Sequence, residues 1–264
     1  MRRNFSLFSV TAPLLVLLTV LLLWQLLVTA TGLSPVILPG PVGVFRATVR
    51  TAGQLGPAIL RTALAAITGL AAAVLIGVCV AFVFSQSAVV RRALYPYALL
   101  LQTVPIIAIA PIVIVSFGRG FISVSIVATV ISLFPIITNT TTGLLQIDRD
   151  LWDLFRLYRS SWWQRLIRLQ LPAAMPYVVS GIRIAGGTAI VGAIVGEFFV
   201  GSSTPGLGAL IQRKMDNPDL SELYATVAAS TLLGTLMFGC LSVGGEWFLQ
   251  RRYGMSLSGN RLRS

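Results

Sequence analysis

The chain has 264 residues, of which 56% are apolar and 11% are charged, and its mean hydropathy is +0.86. A soluble domain carries about 25% charged residues, so this composition excludes a globule covered by polar surface and puts most of the chain in lipid. No histidine is present, which excludes Ser-His and Cys-His nucleophile pairs and His-metal chemistry.

The 20 Lys and Arg outnumber the 8 Asp and Glu for a net charge of +12, and every basic residue except Lys214 is an arginine. The arginines sit between long apolar runs rather than on one patch, so they read as topology determinants and not as a nucleic-acid surface. Cys79 and Cys240 fall inside apolar stretches without CxxC spacing. They are expected to be buried, inert thiols, with neither a disulfide framework nor a metal site.

In chain order, the run 10–30 holds 21 residues without a charge, enough to cross a bilayer of about 30 Å at about 1.5 Å per residue. Arg2 and Arg3 ahead of it and Val28-Thr29-Ala30 at its end also suit a cleaved leader. The apolar part of a leader is shorter, about 7 to 15 residues, so the run is read as a retained span. The segment after it, with Gly32, Pro35, Pro39, Gly40, Pro41 and Gly43, is too broken for a span. Further apolar runs at 62–84, 95–117, 121–142, 173–201 and 223–248 each have spanning length, giving six. Pro105 and Pro111 in the third and Pro135 in the fourth predict kinks, which favour a pathway over a simple anchor. No internal repeat and no second domain is evident, so residues 1–264 read as one all-α polytopic membrane domain.

Six spans put both termini on one side. Arg2, Arg3, Arg91, Arg92, Arg149, Arg156, Arg159, Arg165, Arg168, Arg251, Arg252, Arg261 and Arg263 fall on that side. Only Arg46, Arg50, Arg61, Arg119, Arg213 and Lys214 fall on the other, with Arg183 near the inner end of the fifth span. The positive-inside rule then makes both termini cytoplasmic.

The longest cytoplasmic connection, about 147–172, reads as two short helices. In the first, Leu151, Leu154, Phe155 and Tyr158 recur at i, i+3, i+4 and i+7, a stripe expected to pack on the spans, with Asp153, Arg156 and Ser160 on another face. The second opens with Ser161-Trp162-Trp163-Gln164, which fits a capping box. Trp163, Leu166 and Ile167 form its expected apolar stripe, with Arg165 and Arg168 outside it, and Pro172 ends it or starts the next helix. Trp and Arg dominate interface hot spots, so the loop suits docking of a partner. It equally suits an interfacial anchor, with the tryptophans at headgroup level and arginines facing anionic lipid.

Within the spans, Glu197 in Val191-Gly192-Ala193-Ile194-Val195-Gly196-Glu197 is the candidate pathway carboxylate. A carboxylate there faces protein or water rather than lipid, because lipid exposure costs about 2.5 to 3.5 kcal/mol at mid-bilayer. An acid held near the outer boundary by a basic residue or backbone donors fits the sequence equally well. Gly192 and Gly196 make a GxxxG step read as close packing. Gln102 and Asn139 are the other pathway candidates; neighbouring hydroxyls such as Thr103 and Thr140 more simply satisfy their own helix.

These residues resemble a known family. Asp153-Leu154-Phe155 through Leu171-Pro172 is similar to the cytoplasmic EAA loop of permease subunits of binding-protein-dependent ABC importers. The likeness extends to Leu38-Pro39-Gly40-Pro41, Pro105 to Pro111 with Phe117-Gly118-Arg119-Gly120, Phe134-Pro135-Ile136, and Gly181-Ile182-Arg183-Ile184-Ala185, which resemble the nitrate, sulfonate, taurine and bicarbonate branch. The family usually has Glu-Ala-Ala at Asp153-Leu154-Phe155 and a turn glycine at Arg159, so the turn here is expected to rest on Ser160 and Ser161. Leu154-Phe155-Arg156-Leu157-Tyr158-Arg159 is more similar to members importing riboflavin or the thiamine pyrimidine.

The resemblance implies the type I ABC importer permease fold, no enzymatic activity and no cofactor. It also implies a coupling surface of Asp153, Leu154, Phe155, Arg156, Arg159, Ser160, Ser161, Trp162, Trp163, Gln164 and Arg165. The implied partners are a cytoplasmic ABC ATPase in two copies, an extracytoplasmic solute-binding protein that meets the outer loop 201–208, and a second permease chain in a homodimer. The chain contains no GxxxxGK[ST], so ATP binds elsewhere. Two other readings stand beside this one: an ion-coupled carrier using Glu197, for which paired broken helices are expected, and a non-transporting scaffold that recruits a cytosolic protein.

Overall fold

Lipid satisfies none of the backbone's hydrogen bonds, so a chain this apolar must close its own N–H and C=O groups in helices. The computed structural model describes residues 7–32, 34, 37–103, 105–200, 205–215 and 220–255, with side chains from residue 11 onward. The helices are α1 (Leu7–Thr31), α2 (Pro41–Arg50), α3 (Ala52–Gln86), α4 (Ala88–Thr103), α5 (Ile106–Phe117), α6 (Phe121–Leu145), α7 (Arg149–Leu157), α8 (Trp162–Arg165), α9 (Leu171–Val200), α10 (Leu207–Met215) and α11 (Leu220–Tyr253).

Five units among the described residues are long and apolar enough to cross a membrane: α1, α3, α6, the continuous stretch from α8 through α9, and α11. The sixth, expected as one kinked helix at 95–117, is two helices, α4 and α5, bent by 98° to each other. Pro105 explains the break: it has no N–H to continue α4, and in an extended conformation (φ −61°, ψ 119°) it stands at the N-cap of α5. Three other boundaries also differ from expectation. The span expected at 62–84 begins at Ala52, because Leu55 and Ala58 pack on Leu207 and Leu210 of α10 and that contact carries turns containing Gly53, Gly56 and Pro57. α11 extends to Leu220 and Tyr253, beyond the expected 223–248. The loop and the fifth span are continuous rather than separated: Pro172 stands in the first turn of α9, the second of its two expected roles, after a π turn, Leu166–Gln170, whose Leu166 carbonyl accepts from the Leu171 amide. The wider π winding relieves the ring's clash with the preceding turn and lets the helix continue.

The core is α6 held between α3 and α9 by small residues. A Cβ on Gly69 would lie 2.6 Å from the Ala128 Cβ, and one on Gly192 2.8 Å from the Ala128 Cα. Gly196 meets Val124 in the same way, so the GxxxG step packs α9 on α6. Ala65, Ala66, Ala73, Ala185, Ala189 and Ala193 fill the remaining contact, all nearly inaccessible. Lipid gives apolar surfaces no reason to separate from it, so close backbone approach and dispersion hold these helices together. No residue of the apolar stretch of α1 is buried.

Cys79 and Cys240 are exposed, not buried as expected. An apolar stretch in a membrane protein has outward as well as inward faces, and hydropathy does not separate them. Arg183 is twelve residues past Leu171 in a 30-residue helix, about 18 Å along it rather than near its inner end. Its guanidinium lies 5.2 Å from the Phe238 ring centroid on α11.

Candidate functional site

The connection between α6 and α9 is an ordered element built by its caps. Asp148 caps α7, accepting the Asp150 amide at 3.0 Å. The helix ends in a Schellman turn: the Arg159 amide donates to the Arg156 carbonyl at 3.0 Å and the Ser160 amide to the Phe155 carbonyl at 3.1 Å. That turn requires a left-handed residue, and Arg159 supplies it at φ 47°, where glycine has no steric cost. The Ser160 hydroxyl adds a 2.6 Å bond to the same Phe155 carbonyl. Ser161 and Gln164 form the expected capping box, with the Ser161 amide donating to Gln164 Oε1 at 2.8 Å and the Gln164 amide to Ser161 Oγ at 3.3 Å.

The apolar stripes are placed differently from expectation. Leu151, Leu154 and Tyr158 do not pack on the spans; they are exposed, as is Leu157 at 80%. In the second segment, Leu166 is buried as expected, but Trp163 and Ile167 are exposed, and Leu169 and Gln170 join Leu166 on the inward face. Trp163 and Ile167, four residues apart, share the outward face, and Leu166, Leu169 and Gln170 share the inward one. α7 and α8 are joined by Arg165, whose guanidinium lies 5.6 Å from the Trp152 ring centroid. Trp162 ties the element to the bundle: its Nε1–H donates to Gln86 Oε1 at 2.8 Å, and its ring meets Phe82 edge-on at 6.0 Å. Leu154, Phe155, Tyr158, Ser160, Gln164 and Arg168 line a groove of about 300 Å³ between the two helices. Asp153, Arg156, Arg159 and Ser161 are exposed around it.

The three pathway candidates do not form one cluster, and no hydrogen bond links any two of them among the described residues. Gln102 is exposed at the end of α4. Asn139 is half-buried and donates through Nδ2 to the Pro135 carbonyl of its own helix at 2.7 Å. Glu197 is buried at 7% exposure. Thr62 Oγ1 lies 2.9 and 2.8 Å from its two oxygens, and the Gly208 amide donates to Oε2 at 2.9 Å. The Leu207 amide donates in turn to Thr62 Oγ1 at 2.9 Å. Glu197 and Thr62 thereby satisfy the first amides of α10, where a helix N-terminus favours negative charge. Glu197 also lines a cavity of about 270 Å³ with Arg61, Phe121 and Val124.

Sequence reasoning missed Thr62, Gly206, Gly208 and Gln86. The stretch expected as a loop through residue 208 is already helical at Leu207, where α10 starts. A Cβ on Gly206 would overlap the Glu197 carboxylate, and one on Gly208 the Ile194 carbonyl oxygen. The paired glycines downstream of a lone acid were the available signal. The first four residues of that expected loop, 201–204, lie outside the described residues. On the same side, Glu222 binds Arg50 at 2.9 Å and the buried Lys214 at 3.3 Å, joining α2, α10 and α11.

Residues 73–252 match the family described as binding-protein-dependent transport system inner membrane component. The chain is 32% identical over 230 residues to the formylaminopyrimidine transport permease protein ThiX of Halalkalibacterium halodurans, covering 87% of this chain and 91% of that one. It is 33% identical over 231 residues to the riboflavin transport system permease protein RibX of Chloroflexus aurantiacus, covering 85% of each. Among solved structures, the MetNI methionine ABC transporter superposes with a TM-score of 0.63 at 16% identity, covering 76% of this chain and 97% of that chain, a likeness of fold. The carrier and scaffold readings do not fit these matches. The helical bundle, the capped α7–α8 element and the family match over most of the chain lead to one assignment: the chain belongs to the binding-protein-dependent inner membrane components and is a permease subunit of an ABC importer.

Proposed function

We propose that the α7–α8 element is the docking site of a cytosolic ABC ATPase and transmits its motion to the spans. The exposed apolar set Leu154, Leu157, Tyr158 and Trp163 around the groove carries this reading. On the aqueous side such side chains are stabilised only by cover, at about 25 cal/mol per Å². The coupling residues are Asp153, Leu154, Phe155, Arg156, Arg159, Ser160, Ser161, Trp162, Trp163, Gln164 and Arg165. Trp162 passes movement to α3 through Gln86, and the rigid continuation from α8 passes it to α9. Both termini are cytoplasmic, which puts the arginine-rich connections inside. The chain lies in a bacterial inner membrane, itself contains no ATPase, and receives solute from an extracytoplasmic binding protein. One coupling element per chain implies two permease chains, most simply a homodimer, with two ATPase copies.

The solute is a heterocyclic vitamin or vitamin precursor of the riboflavin or formylaminopyrimidine type. The relatives named for such solutes are 32% and 33% identical, against 26% for the nitrate import permease protein NrtB of Synechocystis. A second reading, from that same relative, is a small anion. The test is uptake into proteoliposomes holding the permease, its ATPase and its binding protein. ATP-dependent accumulation of riboflavin or formylaminopyrimidine, but not nitrate or a sulfonate, is expected. ATP-independent uptake overturns the coupling.

A further inference from the structure

We propose that the groove between α4 and α6 is a binding site for the phosphate headgroup of an anionic phospholipid. The groove measures about 390 Å³ and is lined by Arg91, Arg92, Tyr95, Pro96, Thr142 and Leu145, among others, within the range of about 300 to 1,000 Å³ typical of ligand clefts. No acidic side chain lines it.

The two arginines have different jobs. Arg91 Nη1 donates to the Phe84 carbonyl at 3.0 Å, one of the terminal carbonyls that α3 leaves unpaired, and this bond fixes the guanidinium at the groove. Its other N–H groups are left for a ligand. Arg92 is exposed and makes no hydrogen bond or ion pair among the described residues. Two guanidiniums without a carboxylate, one already oriented, are the donor set for a phosphodiester oxygen pair. Tyr95, held against Phe84 at 6.2 Å between ring centroids, and Thr142 add hydroxyls at the wall.

The surroundings distinguish a lipid from a free anion. Leu145 in the wall and Leu99, one turn beyond Tyr95 on the same face of α4, are exposed, an apolar margin that suits acyl chains and gives nothing to inorganic phosphate. Basic pockets between spanning helices at the membrane surface are the recurrent form of headgroup recognition. The site goes beyond ATPase docking and does not depend on it; only its assignment to the inner leaflet rests on the proposed topology.

The test uses the purified full chain in neutral detergent, with phosphatidylglycerol and phosphatidylcholine of identical chains as probes and lipid retention read by native mass spectrometry. The native chain is expected to retain phosphatidylglycerol over phosphatidylcholine by roughly 30-fold, the scale set by two basic side chains at a charged surface. The preference falls to parity in Arg91→Gln/Arg92→Gln and persists in Arg251→Gln/Arg252→Gln, an exposed arginine pair elsewhere. If the first double variant fails to fold, Arg92→Gln alone removes a side chain that makes no bond and still reduces the preference. Equal retention of both lipids by the native chain overturns the proposal, as does a preference unchanged by either Arg92 variant or lost equally in the Arg251/Arg252 variant. Displacement of phosphatidylglycerol by millimolar inorganic phosphate overturns it in favour of a free-anion site.

Discussion

Glu197 and Gly208 meet across one end of the bundle: the Gly208 amide donates to Glu197 Oε2 at 2.9 Å, and no Cβ fits on Gly208 without striking the Ile194 carbonyl oxygen. The acid and the glycine are therefore one device that seats α10 on α9. Gly208→Ala is expected to lower stability by about 1 to 3 kcal/mol through overpacking. Thermal melting of the purified chain in detergent checks this, and an unchanged melting temperature contradicts it.

Removing the acid tests the same device from the other side. Glu197→Ala leaves the Gly208 amide without its buried acceptor, at about 1 to 3 kcal/mol, while the Thr62 hydroxyl keeps the Ala58 carbonyl at 3.1 Å. Glu197→Gln keeps an acceptor for Gly208 and is expected to melt close to the native chain. Equal losses in both variants would show that charge, not acceptor geometry, is what the site needs.

Arg159 occupies a left-handed position at φ 47°, which costs a non-glycine residue about 1 to 2 kcal/mol. Arg159→Gly removes that strain but loosens the unfolded chain, so stability is expected to remain within about 1 kcal/mol of native. Arg159→Val adds a β-branch at positive φ and is expected to lower both stability and ATPase association. The comparison of the two variants in pull-down and melting experiments checks the turn.

Trp162 and Gln86 link the coupling element to α3 by one hydrogen bond. Trp162→Phe and Gln86→Met each delete it, and a double-mutant cycle is expected to return a coupling of about 1 kcal/mol. Transport per ATP hydrolysed is expected to fall more than ATPase binding does. Parallel loss of both measures contradicts a transmitting role for this contact.

Most of the helical architecture was legible because lipid imposes a simple rule: long uncharged runs must be helices, and arginines mark their ends. The capping box at Ser161 and Gln164 and the packing of Gly192 and Gly196 were equally legible, since a short local spacing marks each, although the glycines pack on distant Ala128 and Val124. What failed depended on contacts between distant residues. The length of α3 follows from Leu55 and Ala58 meeting α10, and the seating of α10 follows from Thr62 and Glu197, which are 135 residues apart. The exposure of Cys79, Leu151 and Tyr158 was illegible for another reason. Periodicity finds an apolar face but does not say whether lipid, protein or a missing partner covers it.

Docking of the ATPase on the α7–α8 surface is tested most directly by co-purifying the cognate ATPase with the native chain and with Asp153→Arg/Trp163→Asp, because both side chains are exposed and the change leaves the bundle untouched. Loss of the ATPase from a variant with native helix content and elution volume is the predicted result. Retention of the ATPase at native level contradicts it.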